Sequence, residues 1–233
     1  MYSVIIPAAG TGSRMGLGYN KLLYKVAGRT VIEHTVAKFF NDIKCKQIIL
    51  TVSPEDQDKM ERLFGNQPRT SLVIGGKTRQ ESIYNALELV KEATVLIHDG
   101  ARPFVTEEII DRCYEAAADG SVGAIVAVPP KDTIKQRNSR RSELVNRTIP
   151  REELVIVQTP QAFPTDVLKA ANRLALRTDY VGTDDASLVE NFTEVPIKIV
   201  DGDYQNIKFT TPEDIKYFEI LTKGRERHAH RTL

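Results

Sequence analysis

The sequence predicts an α/β fold, with a mostly parallel, twisted sheet and helices on both faces. Two observations support this prediction. Short apolar, β-branched runs alternate with amphipathic helical patterns, and several of the helical patterns begin with capping residues. In folds of this class, ligands bind beyond the carboxyl ends of the strands. Polar residues that directly follow the apolar runs are therefore the first candidates for a functional site.

Five apolar runs predict buried strands, at residues 3–6, 47–52, 71–74, 95–97 and 124–128. Apolar residues at helical spacing predict a helix after the first run, with the stripe Val31, Ile32, Val36, Phe39 and Phe40. A second stripe follows the third run and consists of Ile83, Ala86, Leu87 and Val90. His34 lies within the first of these helices, and we expect a structural role for it.

Three helix starts are marked by the residues that precede them. Ser53-Pro54 and Thr211-Pro212 each place a capping residue before a proline at the first helical position, which is a favoured arrangement. Thr78-x-x-Glu81 has the spacing of a capping box.

Composition excludes several classes of protein. The chain has 233 residues, with 32 Lys and Arg against 31 Asp and Glu, so its net charge attracts neither nucleic acid nor a membrane surface. We expect one domain over residues 1–223, a polar, frayed tail over 224–233, no membrane span and a cytoplasmic location. Cys45 and Cys113 are expected to be core thiols, and the few histidines make a histidine-rich metal site improbable.

One basic region, residues 129–150, interrupts the strand–helix alternation and has few core residues. Segments 133–135 and 143–148 are predicted to pair as a hairpin around the polar tip 138–142. Because such an arm cannot bury itself, we expect it to pack on a partner subunit.

The first strand is followed by a glycine loop, Pro7-Ala-Ala-Gly-Thr-Gly-Ser-Arg-Met-Gly16, and then by Lys21. Glycines allow backbone N–H groups to approach phosphate oxygens, and Arg14 and Lys21 supply positive charge. The spacing fits neither the dinucleotide fingerprint nor the P-loop. A phosphate cradle and a glycine-rich surface turn with solvated cations both remain open on this loop alone.

Polar clusters recur at other predicted strand ends. They are Gly75-Gly-Lys-Thr-Arg79 with Ser82, His98-Asp-Gly-Ala-Arg102, Gln158-Thr-Pro-Gln161 after the strand-like residues 154–157, Thr183-Asp-Asp-Ala-Ser187, and Asn206-Ile-Lys208. Singly, Asp99, Thr211 and Asp214 are explained equally well as helix caps, and Lys208 as a surface lysine.

Taken together and in order, these motifs and Lys-Asp-Thr-Ile-Lys135 resemble those of the 2-C-methyl-D-erythritol 4-phosphate cytidylyltransferases, from Ser3 to about Phe218. The resemblance implies a Rossmann-like nucleotidyltransferase fold and a homodimer joined through a protruding β-arm at about 130–150. It also implies two substrates, CTP and a polyol phosphate, with Mg²⁺ or another divalent cation bound mainly through CTP phosphates. No protein metal ligand is predicted. Lys77 stands where the family frequently has an acidic residue.

The resemblance also assigns roles to individual positions. The residues implied in catalysis are Arg14, Lys21, Arg151 and Lys208. Those implied in nucleotide binding are Pro7, Ala8, Ala9, Gly10, Gly12, Gly76 and Ser82. Those implied in binding the polyol phosphate are Asp99, Arg102, Thr133, Thr159 and Thr183, some of them across the dimer.

Three other functions compete with this one. A cytidylyltransferase for ribitol 5-phosphate would share CTP recognition, although Pro-Ala-Ala-Gly10 and Thr-Asp-Asp-Ala-Ser187 favour the methylerythritol enzymes. A catalytically silent nucleotide-binding module would not need Arg14 and Lys21. A nucleic-acid role for the basic region is less simple than charge that serves anionic substrates and solvation.

Overall fold

The computed structural model describes residues 1–10 and 18–229, and side chains as far as Thr222. Seven strands within these residues form one sheet, in the order β11-β7-β10-β6-β1-β4-β5. They are β1 (Tyr2–Pro7), β4 (Cys45–Val52), β5 (Thr70–Ile74), β6 (Thr94–Ile97), β7 (Gly123–Val128), β10 (Ile156–Pro164) and β11 (Ile197–Asp201). All five predicted strands are present, each within two residues of its predicted bounds.

Most neighbouring strands in the sheet are parallel. The parallel pairs are β1 with β4, β1 with β6, β4 with β5, and β7 with β11. Only β10 runs antiparallel to its neighbours, β6 and β7, among the strand pairs described for this sheet. The mostly parallel sheet predicted from the sequence is therefore confirmed.

Strand β10 corrects one prediction. The strand was expected to end at residue 157, but it continues through Gln158-Thr-Pro-Gln161 to Pro164. Proline in a run of residues normally argues against a strand, because it cannot donate to the ladder. Here the register with β7 shifts between Val157 and Gln161, so the proline lies at an irregularity. The edge strand β11 was not predicted either.

Helices cover both faces of the sheet, as predicted. They are α1 (Val31–Phe40), α2 (Gln57–Phe64), α3 (Arg79–Leu87), α4 (Glu107–Ala117), α5 (Thr165–Arg177), α6 (Asp185–Phe192) and α7 (Glu213–Ala229). Val4 and Ile6 of β1 pack in one core with α1, α2, α4 and α7. Ile5, which points to the opposite face, packs in a second core with α3, α5 and α6.

The helix starts agree with the predictions in position but not in every bond. Ser53 caps a 3₁₀ turn, Pro54–Asp56, that leads into α2. Thr78 caps α3 by accepting from the Glu81 N–H at 3.1 Å. The predicted capping box is incomplete, because the Glu81 carboxylate accepts from the Lys77 N–H at 2.8 Å instead of reaching back to Thr78.

Two short ribbons lie outside the main sheet: β2 (Lys25–Val26) with β3 (Arg29–Thr30), and β8 (Lys135–Arg137) with β9 (Val145–Thr148). The second lies where a hairpin was predicted, although its first strand begins two residues after the predicted segment 133–135, and its strand residues are all exposed. Helix α7 continues to Ala229, so residues 224–229 are helical where a frayed tail was expected. Arg, Glu and Ala are good helix formers, which explains the difference.

Of the predicted structural residues, the two cysteines are buried in the core and His34 is half-buried. Cys45 and Cys113 are buried free thiols, and burial raises the pKa of both. His34 has its Nε2 2.9 Å from the carbonyl oxygen of Val26, and its ring packs against Phe218. These observations confirm the expected roles.

Candidate active site

Two adjoining clefts open at the carboxyl ends of the parallel strands. The first, of about 270 Å³, is lined by residues that follow β1, β4, β5 and β6. The second, of about 350 Å³, is lined by the middle of β10 and the loop before α6. Arg79, Asp99 and Lys208 line both clefts. The two clefts therefore meet at a charged boundary, an arrangement that suits two anionic ligands brought face to face.

Most of the predicted nucleotide residues line the first cleft. They are Pro7, Ala9, Gly10, Gly76 and Ser82, together with the predicted catalytic residue Lys21. Gly12 and Arg14 lie outside the described residues. The described beginning of the loop, residues 7–10, therefore contributes to the wall of the first cleft.

Ala8 corrects the prediction for this loop. Its methyl group is buried in the core, its N–H donates to the Thr51 carbonyl oxygen at 2.9 Å, and its carbonyl oxygen accepts from Asn20 Nδ2 at 2.9 Å. Ala8 therefore supports the loop from beneath instead of lining the cleft.

Asn20 was missed by the sequence analysis. Its Nδ2 also donates to the Asp56 carboxylate at 3.0 Å, and its Oδ1 accepts from the Leu22 N–H at 3.0 Å. Asn20 thereby fixes the start of the short helix that carries Lys21. The asparagine directly before a predicted site lysine was the only available signal.

The turn at Gly76 is held by Ser82. The Ser82 hydroxyl accepts from the Gly76 N–H at 3.0 Å and donates to the Thr78 carbonyl oxygen at 2.8 Å. Both hydrogen bonds are local, so the backbone of this turn is presented to the first cleft in one orientation. Nucleotide binding by these two residues stays a prediction.

Asp99 is the centre of the charged boundary. Lys208 Nζ lies 2.8 Å from its carboxylate, Arg79 Nε 3.6 Å and Arg102 Nε 3.7 Å. Burial alone would raise the pKa of Asp99, but these three cations outweigh burial and hold its pKa below the ordinary value. Asp99 is therefore ionised and collects cations that converge on both clefts.

Arg79 is a second residue that the sequence analysis did not assign to the site. Its guanidinium spans the gap between Asp99 and Asp185, whose Oδ2 lies 2.8 Å from Arg79 Nη2. Asp185 is buried at the start of α6. Both residues belong to motifs found in the sequence, Gly-Gly-x-x-Arg79 and Thr-Asp-Asp185. A single sequence gives no sign that they form an ion pair.

Asn206 positions the side chain of Arg102, a predicted residue of the acceptor site, and anchors the loop that carries the predicted catalytic residue Lys208. Asn206 is fully buried, and its Nδ2 donates to Gln158 Oε1 at 3.1 Å and to the Thr159 carbonyl oxygen at 2.9 Å. Its own carbonyl oxygen accepts from Arg102 Nη1 at 2.7 Å. These bonds tie the loop before α7 to β10. Thr159 and Thr183 line the second cleft with Arg102.

Thr133 and Arg151 are not brought to these clefts within one chain. They line a separate pocket of about 190 Å³ at the base of the β8–β9 hairpin. The two residues therefore lie together, apart from the other residues expected to bind the polyol phosphate.

The described residues contain neither a metal-binding cluster of side chains nor a membrane-spanning helix. No group of three or more His, Cys, Asp or Glu side chains in this part of the chain is arranged to hold a metal ion. No helix over the same residues has the length and apolar character needed to cross a bilayer.

Comparison with known proteins decides between the remaining families. A family model described as 2-C-methyl-D-erythritol 4-phosphate cytidylyltransferase matches residues 2–223. The chain belongs to this family. A relative of that name from Bacillus velezensis is 44% identical over 227 residues, covering 96% of each chain. Another, from Bacillus pumilus, is 47% identical over 218 residues, covering 92% of this chain and 93% of the relative.

Solved structures of the family share the fold. A 4-diphosphocytidyl-2C-methyl-D-erythritol synthase from Anaerococcus prevotii has a TM-score of 0.85 at 31% identity, covering 96% of this chain and 98% of its own. The Thermus thermophilus cytidylyltransferase has a TM-score of 0.75 at 32% identity, covering 95% and 98%. The chain is therefore a nucleotidyltransferase enzyme with the predicted α/β fold, and the ribitol 5-phosphate alternative is not favoured.

Proposed function

We propose that this enzyme joins CTP and 2-C-methyl-D-erythritol 4-phosphate to give 4-diphosphocytidyl-2-C-methyl-D-erythritol and pyrophosphate, a step of non-mevalonate isoprenoid biosynthesis. The observation that carries the proposal is the family match over residues 2–223. The two clefts that meet at Asp99 support it, because the reaction needs two polyanions side by side. Because CTP is an intracellular metabolite, a cytoplasmic location belongs to the same proposal.

The chemistry requires no protein nucleophile. A phosphate monoester has a second pKa of about 6 and is largely dianionic at neutral pH. One of its oxygens attacks the α-phosphorus of CTP, a new P–O bond forms, and the bond to the bridging oxygen of pyrophosphate breaks. The protein must align the two phosphates and neutralise the charge that builds on the non-bridging oxygens.

Cations on either side of the boundary suit that task. Lys21 lines the first cleft and is proposed, with Arg14, to stabilise the triphosphate as pyrophosphate leaves. Lys208 is proposed to hold the acceptor phosphate, since it lines both clefts and is fixed by Asp99. Arg151 is proposed to reach the acceptor from the partner subunit.

A homodimer is the second part of the proposal. The strand residues of the β8–β9 hairpin are all exposed. Several apolar side chains in and around it are also exposed, namely Ile134, Leu144, Val145, Val155 and Ile156. Apolar groups clustered on one exposed element favour burial against another chain. A partner would cover them and carry Thr133 and Arg151 to the clefts.

A divalent cation, Mg²⁺ by preference, is the third part. Mg²⁺ binds oxygen ligands and keeps several waters, often through substrate phosphates. The described carboxylates of the boundary do not suit a dedicated protein site, because Asp99 and Asp185 are already bonded to cations. The ion is therefore proposed to arrive on the CTP phosphates, and we assign no step to it.

The test is pyrophosphate release from CTP with methylerythritol phosphate, compared with ribitol 5-phosphate. We expect turnover with the first acceptor only, and loss of turnover when Mg²⁺ is removed by EDTA and its return when Mg²⁺ is restored. The variants Arg14→Ala, Lys21→Ala and Arg151→Ala should each be slower by about 100-fold or more. CTP binding with no turnover of either acceptor would instead support a silent nucleotide-binding module.

A further inference from the structure

His98 and Thr159 contact each other beneath the second cleft. The Nδ1 atom of His98 is 3.2 Å from Thr159 Oγ1, and its Nε2 is 3.0 Å from the carbonyl oxygen of Arg102. Thr159 Oγ1 also accepts from the Asp99 N–H at 3.0 Å. Both His98 and Thr159 are buried, and Thr159 still lines the cleft.

The partners of His98 fix where its proton lies. A carbonyl oxygen can only accept, so the Nε2 atom that faces Arg102 must carry the hydrogen. Burial lowers the pKa of His98 to about 4, so the ring holds one proton near neutral pH. The Nδ1 atom is therefore an acceptor, and the hydroxyl of Thr159 donates its hydrogen to it.

The hydroxyl of Thr159 then has one position left for a ligand. A threonine hydroxyl offers one hydrogen and two lone pairs. Its hydrogen is used by His98, and one lone pair is used by the Asp99 N–H. The remaining lone pair accepts a hydrogen bond from a ligand hydroxyl but cannot bond to an ionised phosphate oxygen, which has no hydrogen to give.

We propose that His98 is a positioning residue that makes Thr159 a hydrogen-bond acceptor, so that Thr159 selects a hydroxyl of the polyol acceptor and not its phosphate. This inference rests on the proposed function, because it takes the ligand of the second cleft to be a polyol phosphate. The ring of Phe39 packs against the ring of His98, with 5.0 Å between the ring centroids, and this contact restricts rotation of the His98 ring.

The position of the proton on the His98 ring, and with it the direction of the hydrogen bond to Thr159, can be measured without any ligand. In ¹⁵N-labelled protein, NMR should show His98 with a protonated Nε2 and a bare Nδ1 near neutral pH. The variant His98→Phe assigns the resonance, and if that variant does not fold, variants of His34, His228 and His230 assign it by exclusion. A protonated Nδ1 would overturn the proposal, since Thr159 would then accept from His98 and keep its hydrogen for a phosphate.

The selection is tested with two matched variants and a set of acceptors, each lacking one hydroxyl. Thr159→Val, which removes the lone pair at nearly equal volume, should raise the KM for methylerythritol phosphate about 3- to 10-fold. The KM for CTP and the kcat should change little, and Thr159→Ser should behave like the wild type. For one deoxy acceptor, the wild-type enzyme and Thr159→Val should have the same KM.

An equal cost of Thr159→Val for every deoxy acceptor would overturn the proposal. The deoxy acceptors can also be compared with methylerythritol phosphate on the wild-type enzyme alone. If the wild-type enzyme bound every deoxy acceptor as tightly as methylerythritol phosphate, the proposal would also be overturned. Absence of turnover by the wild-type enzyme would instead refute the proposed function, and the NMR measurement would still decide the orientation of Thr159.

Discussion

Lys208 donates to the carboxylate of Asp99 at 2.8 Å and so joins the loop before α7 to the carboxyl end of β6. This contact fixes the lysine at the line where the two clefts meet. A flexible ammonium group would otherwise sample many positions, whereas catalysis by charge needs the charge in place before the reaction. Asp99 therefore acts on the reaction through the cation that it holds.

The first prediction concerns Lys208 itself. Lys208→Ala should lower kcat/KM for methylerythritol phosphate by about 100-fold or more, because a preorganised charge opposite the reacting phosphate is lost. The measurement is pyrophosphate release at varied acceptor concentration. Lys46→Ala, at an exposed position of β4, is the control and should leave turnover unchanged. Wild-type kinetics in Lys208→Ala would remove it from the proposed mechanism.

The second prediction concerns the acid stability of the fold. The folded pKa of Asp99 is held below the unfolded value of about 3.9, so its ionised form stabilises the protein above that pH. The contribution should be lost as the pH falls below about 4. Asp99→Asn should lower the free energy of unfolding near pH 7 by about 3 kcal/mol, and the difference from wild type should shrink toward pH 3.

Urea unfolding at a series of pH values measures this difference. Asp119→Asn is a useful comparison, because Asp119 is an exposed residue whose pKa is lowered by local bonds to Ser121. It should change stability much less at every pH. If the difference in the free energy of unfolding between wild type and Asp99→Asn were constant from pH 7 to pH 3, ionisation of Asp99 would not be what stabilises the fold.

The third prediction separates two glycines of the first cleft. Among the residues that the structure describes, no atom lies within 4 Å of a Cβ added at Gly10, whereas a Cβ at Gly76 would meet the side chain of Glu81. Gly76→Ala should therefore destabilise the fold by about 1–3 kcal/mol, and Gly10→Ala should not. Both should raise the KM for CTP, Gly10→Ala because the added methyl takes space that the nucleotide needs. Thermal melting and CTP titration distinguish the two effects.

The fourth prediction tests the composite dimer site. Arg151→Ala and Lys208→Ala should each be nearly inactive alone, but a mixed dimer holds one site with both residues intact. After equal amounts are unfolded together and refolded, we expect about one quarter of wild-type activity, because half of the dimers are mixed and each has one complete site. Activity no higher than that of the separate variants would show that Arg151 serves the site of its own chain.

Sequence reasoning succeeded where a signal is local. The runs at 3–6 and 95–97 are continuous and apolar, so their strands follow from pattern alone. The motifs that contain Lys21, Ser82 and Asp99 follow such strands, the resemblance assigned the roles of these residues, and all three line the first cleft. The strands and helix starts could be predicted because periodicity and capping depend only on residues that are close together in the sequence.

It failed where the outcome depends on distant partners. Proline inside Gln158-Thr-Pro-Gln161 argued for the end of a strand, and only the register shift against β7 accommodates it. The pair Arg79–Asp185 joins two helices that no sequence pattern relates. Thr133 and Arg151 were assigned by resemblance, and their surroundings in one chain differ from those of the other acceptor residues.

Because β10 runs antiparallel to its neighbours, the acceptor side of the proposed site is built on a different strand from the walls proposed for CTP. The parallel strands β1, β4 and β5 supply the walls proposed for CTP, while β10 enters from the opposite direction and brings Thr159 to the acceptor side. The residues of β10 and of the loop before α6 that line the second cleft do not line the first. Variants that accept another polyol phosphate should be sought among these residues of the second cleft. Arg79 and Asp99 should be kept, because they form an ion pair at the boundary of the two clefts.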